Sequence, residues 1–277
     1  MNNSELSQVE EKLERLAEWF RNFQTCIVAF SAGVDSSLLA AVSKKVLGDG
    51  AYAVTSISPA FSTAEREEAR KIADEIGIEL FEVTQNDLED KNYVKNAVMR
   101  CYFCRSNLAS AILPLANRLS IDVLVDGTHA DDLKTPRPGI KALRESGFRA
   151  PLAELHFDKD DVRAMARLVG LSNWERPSEA CLSSRIAFGQ RISADTLNRI
   201  EIAENVVKSI TNARIVRVRT IGNGAVVEVD KGSLGAAVEK RSLISTRLKQ
   251  IGYDSVDVDE EGYVSGRMLD LFVNSGK

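Results

Sequence analysis

Cys26-Ile-Val-Ala-Phe30, Ser31-Ala-Gly-Val-Asp-Ser-Ser37 and then Leu38, Leu39, Val42, Val46 and Leu47 read as strand, small-residue loop and helix in unbroken succession. An apolar run without polar alternation suits a strand buried on both faces. The leucines and valines that follow recur with helical period until Gly48 stops them. Outward from this unit the alternation repeats. Tyr52 to Ile57 reads as a strand, and Ser62-Thr-Ala-Glu65 has capping-box spacing and opens a helix with Ala69, Ile72, Ala73 and Ile76 on one face. Glu79 to Val83 is a third strand, Arg105 to Leu119 a helix, Asp122 to Asp126 a fourth strand, and Arg149 to Leu152 another short one. Upstream, Leu6, Val9, Leu13, Leu16 and Phe20 give residues 5–22 one apolar helical face. Strand and helix in turn, with short connections, predict an α/β fold: a parallel sheet covered by helices on both faces.

The pattern changes after about Gln190. Leu197, Ile200, Ala203, Val207 and Ile210 mark a helix, and residues 215–220 and 225–230 alternate with period two around Gly222-Asn223-Gly224, a hairpin with an Asn-Gly turn signal. A helix over 234–251 and a strand over 255–258 complete a small α+β unit. The expected domains are therefore 1–190 and 191–277, since 277 residues exceed what one core usually serves. With 44% hydrophobic and 27% charged residues the chain is too apolar to be disordered. Lys+Arg 36 against Asp+Glu 40, net −4, lacks the basic surplus of a general nucleic-acid binder. No run approaches the roughly 18 apolar residues of a membrane span, and Met1-Asn-Asn-Ser-Glu5 has no signal-peptide character. The expected location is the cytoplasm.

Small residues between a buried strand and a helix let backbone N–H groups meet an anion, so the loop Ser31, Ala32, Gly33, Val34, Asp35 and Ser36 is a candidate phosphate site. Neither Gly-x-x-x-x-Gly-Lys-Ser/Thr nor Gly-x-Gly-x-x-Gly is present, which excludes the Walker and dinucleotide readings. Four cysteines are too few for a disulfide scaffold. Cys26 lies in the first strand and reads as a small buried hydrophobe. Cys101 and Cys104 form a Cys-x-x-Cys on the approach to a helix, and Cys181 follows 77 residues after Cys104. Three readings compete. A redox pair leaves Cys181 idle; a zinc site must recruit His129, His156 or a carboxylate; a [4Fe-4S] cluster held by three thiolates needs only these residues. His129 is expected to support its loop, and His156 to sit in a turn.

The loop resembles the Ser-Gly-Gly-x-Asp-Ser signature of the PP-loop ATP pyrophosphatases, with Ala32 in place of the first glycine. A positive φ there would cost an alanine about 1 kcal/mol. Asp126-Gly-Thr-His-Ala-Asp-Asp132 resembles the Gly-Thr-x-x-Asp segment that closes the nucleotide site in that superfamily. The resemblance implies ATP as cofactor, Asp35 on magnesium, Gly127 and Asp131 at the nucleotide, and Ser56 and Ile57 near adenine. Within the superfamily, Trp174-Glu-Arg-Pro-Ser-Glu-Ala-Cys-Leu-Ser-Ser-Arg185, Arg100-Cys-Tyr-Phe-Cys104 and Gly262-Tyr-Val-Ser-Gly266 are similar to the LarE family of ATP-dependent sulfur transferases.

That likeness implies adenylylation of a carboxylate of pyridinium-3,5-biscarboxylic acid mononucleotide and its conversion to a thiocarboxylate, a step towards the nickel-pincer cofactor of lactate racemase. It further implies a homo-oligomer, with sulfur coming from one of two sources. Cys101, Cys104 and Cys181 can hold a cluster that delivers sulfide supplied by a sulfur-donor system, the favoured mode here; alternatively Cys181 gives up its own sulfur and becomes dehydroalanine. Arg185, Arg217 and Arg219 suit an anionic substrate. The latter two share a strand face, whose other reading is a solvated surface, and Glu228 on the facing strand can pair with one of them. A cluster-dependent tRNA thiolase and a non-catalytic iron–sulfur or nucleotide-binding protein are the alternatives.

Overall fold

A computed structural model describes residues 3–177 and 180–264. Along the chain run α1 (Asn3–Phe20), β1 (Cys26–Ala29), α2 (Val34–Leu47), β2 (Ala51–Ile57), α3 (Thr63–Ile76), β3 (Glu79–Thr84), α4 (Lys91–Val94), α5 (Arg100–Arg118) and β4 (Val123–Val125). There follow α6 (Pro138–Glu145), α7 (Pro151–Glu154), α8 (Lys159–Leu168), α9 (Ala194–Thr211), β5 (Val216–Ile221), β6 (Gly224–Val229), α10 (Leu234–Glu239), α11 (Arg241–Gln250) and β7 (Ser255–Val258). The described residues form two compact units, 3–86 with 101–177 and 87–100 with 180–264.

The first unit is built on a parallel sheet of order β3-β2-β1-β4. Alternation along β1 sends Cys26 and Val28 into a core with Leu16, Phe20, Leu38, Phe157 and Met165, while Ile27 joins Val54, Leu108, Ile112 and Leu124 on the other face. Both faces of β1 are thus covered, as its unbroken apolar run requires. Ser62 and Glu65 form the expected capping box of α3. The chain steps outward from β1 to β3 and then returns to β1's other side with β4. This makes β1/β4 the switch point, where ligands of open α/β sheets bind at the carboxyl ends of the strands.

Three local expectations are corrected. Residues 149–152 are no strand: Arg149 makes one bridge to Val125, and Pro151, without an N–H to donate, begins α7. The fifth helix begins at Arg100, so Cys101 and Cys104 lie inside its first turns. The expected helix over 234–251 breaks at Lys240, whose Nζ donates to the carbonyl of Ile210 at 2.7 Å near the end of α9.

The second unit packs α9, α10 and α11 on a sheet of order β5-β6-β7, with Val218, Val227, Ala203, Val207, Ile244, Leu248 and Tyr253 in its core. Its hairpin turns on Gly222-Asn223, because Ile221 pairs with Gly224 and Gly222 takes φ +59°. A glycine with positive φ at the first of two turn residues belongs to a type II′ turn, so the turn sits one residue earlier than the Asn-Gly signal suggested. Asn96 ties residues 87–100 to the rest of this unit. Fully buried at φ +53°, its Nδ2 donates to the carbonyls of Ile186 (3.3 Å), Ala187 (2.8 Å) and Gln190 (3.1 Å), and its Oδ1 accepts from Arg100 Nη1 at 2.8 Å. Breaking such a network strands several buried polar groups. Asn96→Ala is expected to cost about 3–5 kcal/mol, and Asn96→Gly about 1 kcal/mol less because glycine accepts the left-handed backbone; urea unfolding of both variants measures the difference.

Candidate functional site

Ser31 to Ser36 leave the end of β1 and enter α2, with Gly33 as N-cap. Ser36 Oγ donates to the Gly33 carbonyl at 3.1 Å, and Ser31 N–H donates to Ser36 Oγ at 3.3 Å, which curls the loop over the helix N-terminus. Ala32 stands at φ +54° and is buried. The alanine at the first glycine position of the signature is therefore held in the left-handed region. Gly127 reaches the same place from the end of β4: a Cβ on it would stand 2.9 Å from Asp35 Cβ and 3.1 Å from the Ser36 nitrogen. Backbone cannot yield there, so only glycine fits.

Asp35 presents both carboxylate oxygens to Lys159 Nζ, at 2.6 and 2.7 Å. Lys159 opens α8, and its own N–H donates to Asp131 Oδ2 at 3.0 Å. Asp131 also accepts from Lys134 at 2.6 Å; that bond, then the Lys159 amide, holds its carboxyl below the ordinary aspartate range. Asp131 thus stands one residue removed from the loop, connected to it through Lys159. His129 donates its N–H to Asp132 at 3.2 Å and supports the turn as expected. Ser56 and Ile57 lie beyond the last β1–β2 pairing, Ala29 with Val54. The carbonyl of Ile57 accepts from the N–H of Gln85 at 3.0 Å.

Cys101 is exposed and Cys104 half-buried in α5, where Gln85 Nε2 donates to Cys104 Sγ at 3.5 Å and to its carbonyl at 2.8 Å. Cys26 is buried, and burial pushes its thiol far up. In the second unit, half-buried Cys181 caps a 3-10 turn, Leu182–Arg185. Arg185 folds back over that turn: Nη1 donates to the carbonyls of Ala180 and Cys181, the latter at 2.9 Å, while Nε and Nη2 donate to Glu204 at 2.8 and 3.2 Å. The Tyr93 and Ser183 hydroxyls meet at 2.5 Å. Arg219 takes Glu228 at 2.9 and 3.1 Å and the Ser184 carbonyl at 3.1 Å, and the Arg217 guanidinium lies 5.4 Å from the Tyr263 ring centre. Both strand arginines are 6% exposed, which rules out a solvated face. Ser178 and Glu179, and Ser265 and Gly266, lie outside the described residues.

Lys159, Asn173, Gln85, Asn96 and Glu204 were not singled out in the sequence. Asp158-Lys-Asp-Asp161 reads as a helix start, but nothing local tells which carboxylate its lysine meets. Asp35, in the first turn of α2, supplies a carboxylate of the kind magnesium takes beside phosphate oxygens. The reachable thiols of Cys101, Cys104 and Cys181 suit iron–sulfur ligation in donor chemistry. Among the described residues no three His, Cys, Asp or Glu side chains are gathered about a metal position, and no helix is long and apolar enough to cross a membrane.

A phosphate loop without a Walker lysine, set at the switch point of a parallel sheet, makes this a PP-loop protein of the ATP pyrophosphatase class. The Asparagine synthase family matches residues 12–241. Over 271 residues, 98% of each chain, the sequence is 30% identical to the pyridinium-3,5-bisthiocarboxylic acid mononucleotide synthase of Lactiplantibacillus plantarum, and the chain belongs to the LarE family of ATP-dependent sulfur transferases. It is also 38% identical over 262 residues (94% of this chain, 97% of the other) to the uncharacterized protein slr1717 of Synechocystis sp.. A subunit of the glutamine-hydrolyzing GMP synthase of Methanocaldococcus jannaschii is 28% identical over 174 residues, 59% of this chain and 55% of that one.

Asp126, which precedes Gly127, is buried and accepts from Thr128 N–H at 2.8 Å and from its hydroxyl. Burial raises its pKa against these hydrogen bonds. A raised folded pKa means that the folded state holds the proton more tightly. The contribution to stability is therefore full below the unfolded value, about 3.9, and lost as pH rises through the folded one. Asp126→Asn keeps the acceptor and removes the charge. It is expected to raise the melting temperature at pH 7 and to lose that advantage towards pH 4, as thermal denaturation at both values will test.

Proposed function

We propose that this chain activates a carboxylate of pyridinium-3,5-biscarboxylic acid mononucleotide with ATP and replaces one carboxylate oxygen by sulfur. The full-length likeness to a protein named for the bisthiocarboxylic acid product carries this reading. A carboxylate resists substitution until one oxygen becomes part of a leaving group. Its oxygen attacks the α-phosphorus of ATP, the bond to the bridging oxygen of the β-phosphate breaks, and pyrophosphate departs, leaving an acyl-adenylate. Sulfide then attacks the acyl carbon, and AMP leaves with the electron pair of the C–O bond.

Main-chain N–H groups of residues 31–36 would receive the pyrophosphate at the start of α2. Asp35 would hold magnesium, which when bound neutralises phosphate charge. Lys159 would share the Asp35 carboxylate with that ion, and Ser56 would lie by the adenine. Arg185, Arg217 and Arg219, with Glu228 orienting Arg219, would bind substrate carboxylate and phosphate. Cys101, Cys104 and Cys181 would hold a [4Fe-4S] cluster, which when bound supplies an iron position able to carry an extra sulfide.

The second reading is favoured by the setting of Cys181, half-buried at the head of a turn whose backbone Arg185 holds. In it the Cys181 thiolate displaces AMP to form a thioester. Loss of the Cα proton with cleavage of the Cβ–S bond then leaves the thiocarboxylate and dehydroalanine. Exposed Ile202, Ile221, Val238 and Leu243 on the second unit support self-association, and ATP with reduced thiols fits a cytoplasmic setting.

Pyrophosphate release from ATP with the pyridinium biscarboxylate nucleotide is expected from the wild type, about 10²–10³-fold slower in Asp35→Asn, and retained in Cys181→Ala, which forms no thiocarboxylate. Release only with tRNA would instead mean a thiolase, and none with either a binding protein. Anaerobic reconstitution decides the sulfur source. About four irons per chain, lost on replacing any of the three cysteines by alanine, supports the cluster; no iron, with loss of the elements of H₂S from Cys181 after one turnover, supports sacrifice.

A further inference from the structure

We infer that Asn173, which follows α8 and lies 141 positions after Ala32, is the positioning residue that holds the phosphate loop in its nucleotide-binding conformation. Its side chain is 5% exposed. Nδ2 donates at 2.9 Å to the carbonyl of Ala32 and at 2.9 Å to Ser37 Oγ, in the first turn of α2. One amide therefore spans the left-handed residue and the helix that the loop enters.

Carbonyl and N–H of a trans peptide point in opposite directions. With the Ala32 carbonyl fixed on Asn173, the Gly33 N–H is directed to the other side, where it meets Ser31 Oγ at 3.4 Å, inside the loop. Released from Asn173, Ala32 can turn about its own N–Cα bond to negative φ, which any L-residue prefers, and carry the Ala32–Gly33 peptide with it. The N–H would then leave the loop. A glycine at position 32 would need no such restraint, since it adopts positive φ freely. The asparagine thus does for this chain what the glycine of the signature does in its backbone.

Asn173 is itself anchored. Ser172 donates to Glu75 from N–H at 2.8 Å and from Oγ at 2.5 Å, and Arg176 lies 3.4 Å from Glu68, so both flanks are tied to α3. The Arg176 N–H donates to the Asn173 carbonyl at 2.9 Å. Asn173 Oδ1 is buried without a hydrogen-bond partner. The two Nδ2 bonds, to Ala32 and to Ser37, set the orientation of the amide.

The inference rests on the loop being the nucleotide site, and one binding experiment separates the two. ATP affinity is measured with magnesium by calorimetric titration for the wild type, Asn173→Ala, Ala32→Gly and the double variant, with melting temperatures alongside. Asn173→Ala is expected to weaken ATP binding about tenfold, a loss of about 1.4 kcal/mol. In the Ala32→Gly background the same change should cost less than about threefold, the non-additivity of two coupled residues. Equal losses in both backgrounds, or a lowered melting temperature with unchanged affinity, would overturn the positioning role. A wild type that binds no ATP would instead overturn the nucleotide reading on which it stands. Should Asn173→Ala fail to fold, Asn173→Ser makes the same comparison with the same criteria.

Discussion

The meeting of Gly127 with the first turn of α2 is the constraint on which the first unit depends. Because β1 and β4 pair in parallel from Cys26 with Val123 to Val28 with Val125, the chains leaving them start at one level and must pass within van der Waals reach. A single added methyl would sit 2.9 Å from Asp35 Cβ and 3.1 Å from backbone nitrogen. Closeness has consequences on both sides. Upstream, Asp126 is driven into the interior, where Thr128 must satisfy it. Downstream, the turn delivers Asp131 to α8, which fixes the amide of Lys159 and so helps aim its ammonium back at Asp35.

Charge is arranged differently in the two units. In the first, ion pairs stand beside the loop: Lys159 with Asp35, Lys134 with Asp131, Arg137 with Asp132. The loop is left with the partial positive charge of the α2 N-terminus, suited to an anion. In the second, Arg100, Arg185, Arg217 and Arg219 are buried, while Glu204 and Glu228 supply the carboxylates that pair with Arg185 and Arg219. Cations removed from water ask for compensation, which the Glu204 and Glu228 carboxylates give to Arg185 and Arg219.

The sheet was legible because β1, β4 and the first half of β2 are apolar runs placed between helices of clear period. Legibility failed where one residue overruled a pattern. Pro151 begins a helix where Arg149 makes only a single bridge, the helix expected over 234–251 breaks at Lys240, and Gly222 moves a turn by one residue. In the site, contiguous motifs were readable, but their supports were not. Lys159 meets Asp35 across 124 positions and Asn173 meets Ala32 across 141; no period or spacing encodes such pairs. Glu204 likewise sat among the polar positions of α9, indistinguishable from its solvated neighbours until Arg185 was placed.

The cysteines show how environment sorts one chemical group into separate roles. Cys26 fills the space between β1 and the helices, and the burial that makes it a good packing residue keeps its sulfur in the thiol form, which neither attacks carbon nor binds metal. Cys104 keeps a polar neighbour on its sulfur in Gln85, itself fixed by its N–H to the end of β2. Cys181 has its carbonyl and that of Ala180 gathered by one guanidinium, so its backbone is held while its side chain stays reachable. Either role proposed for it, binding iron or leaving its own carbon, needs that combination of a fixed backbone and a side chain short of full burial, which the strand interior denies to Cys26.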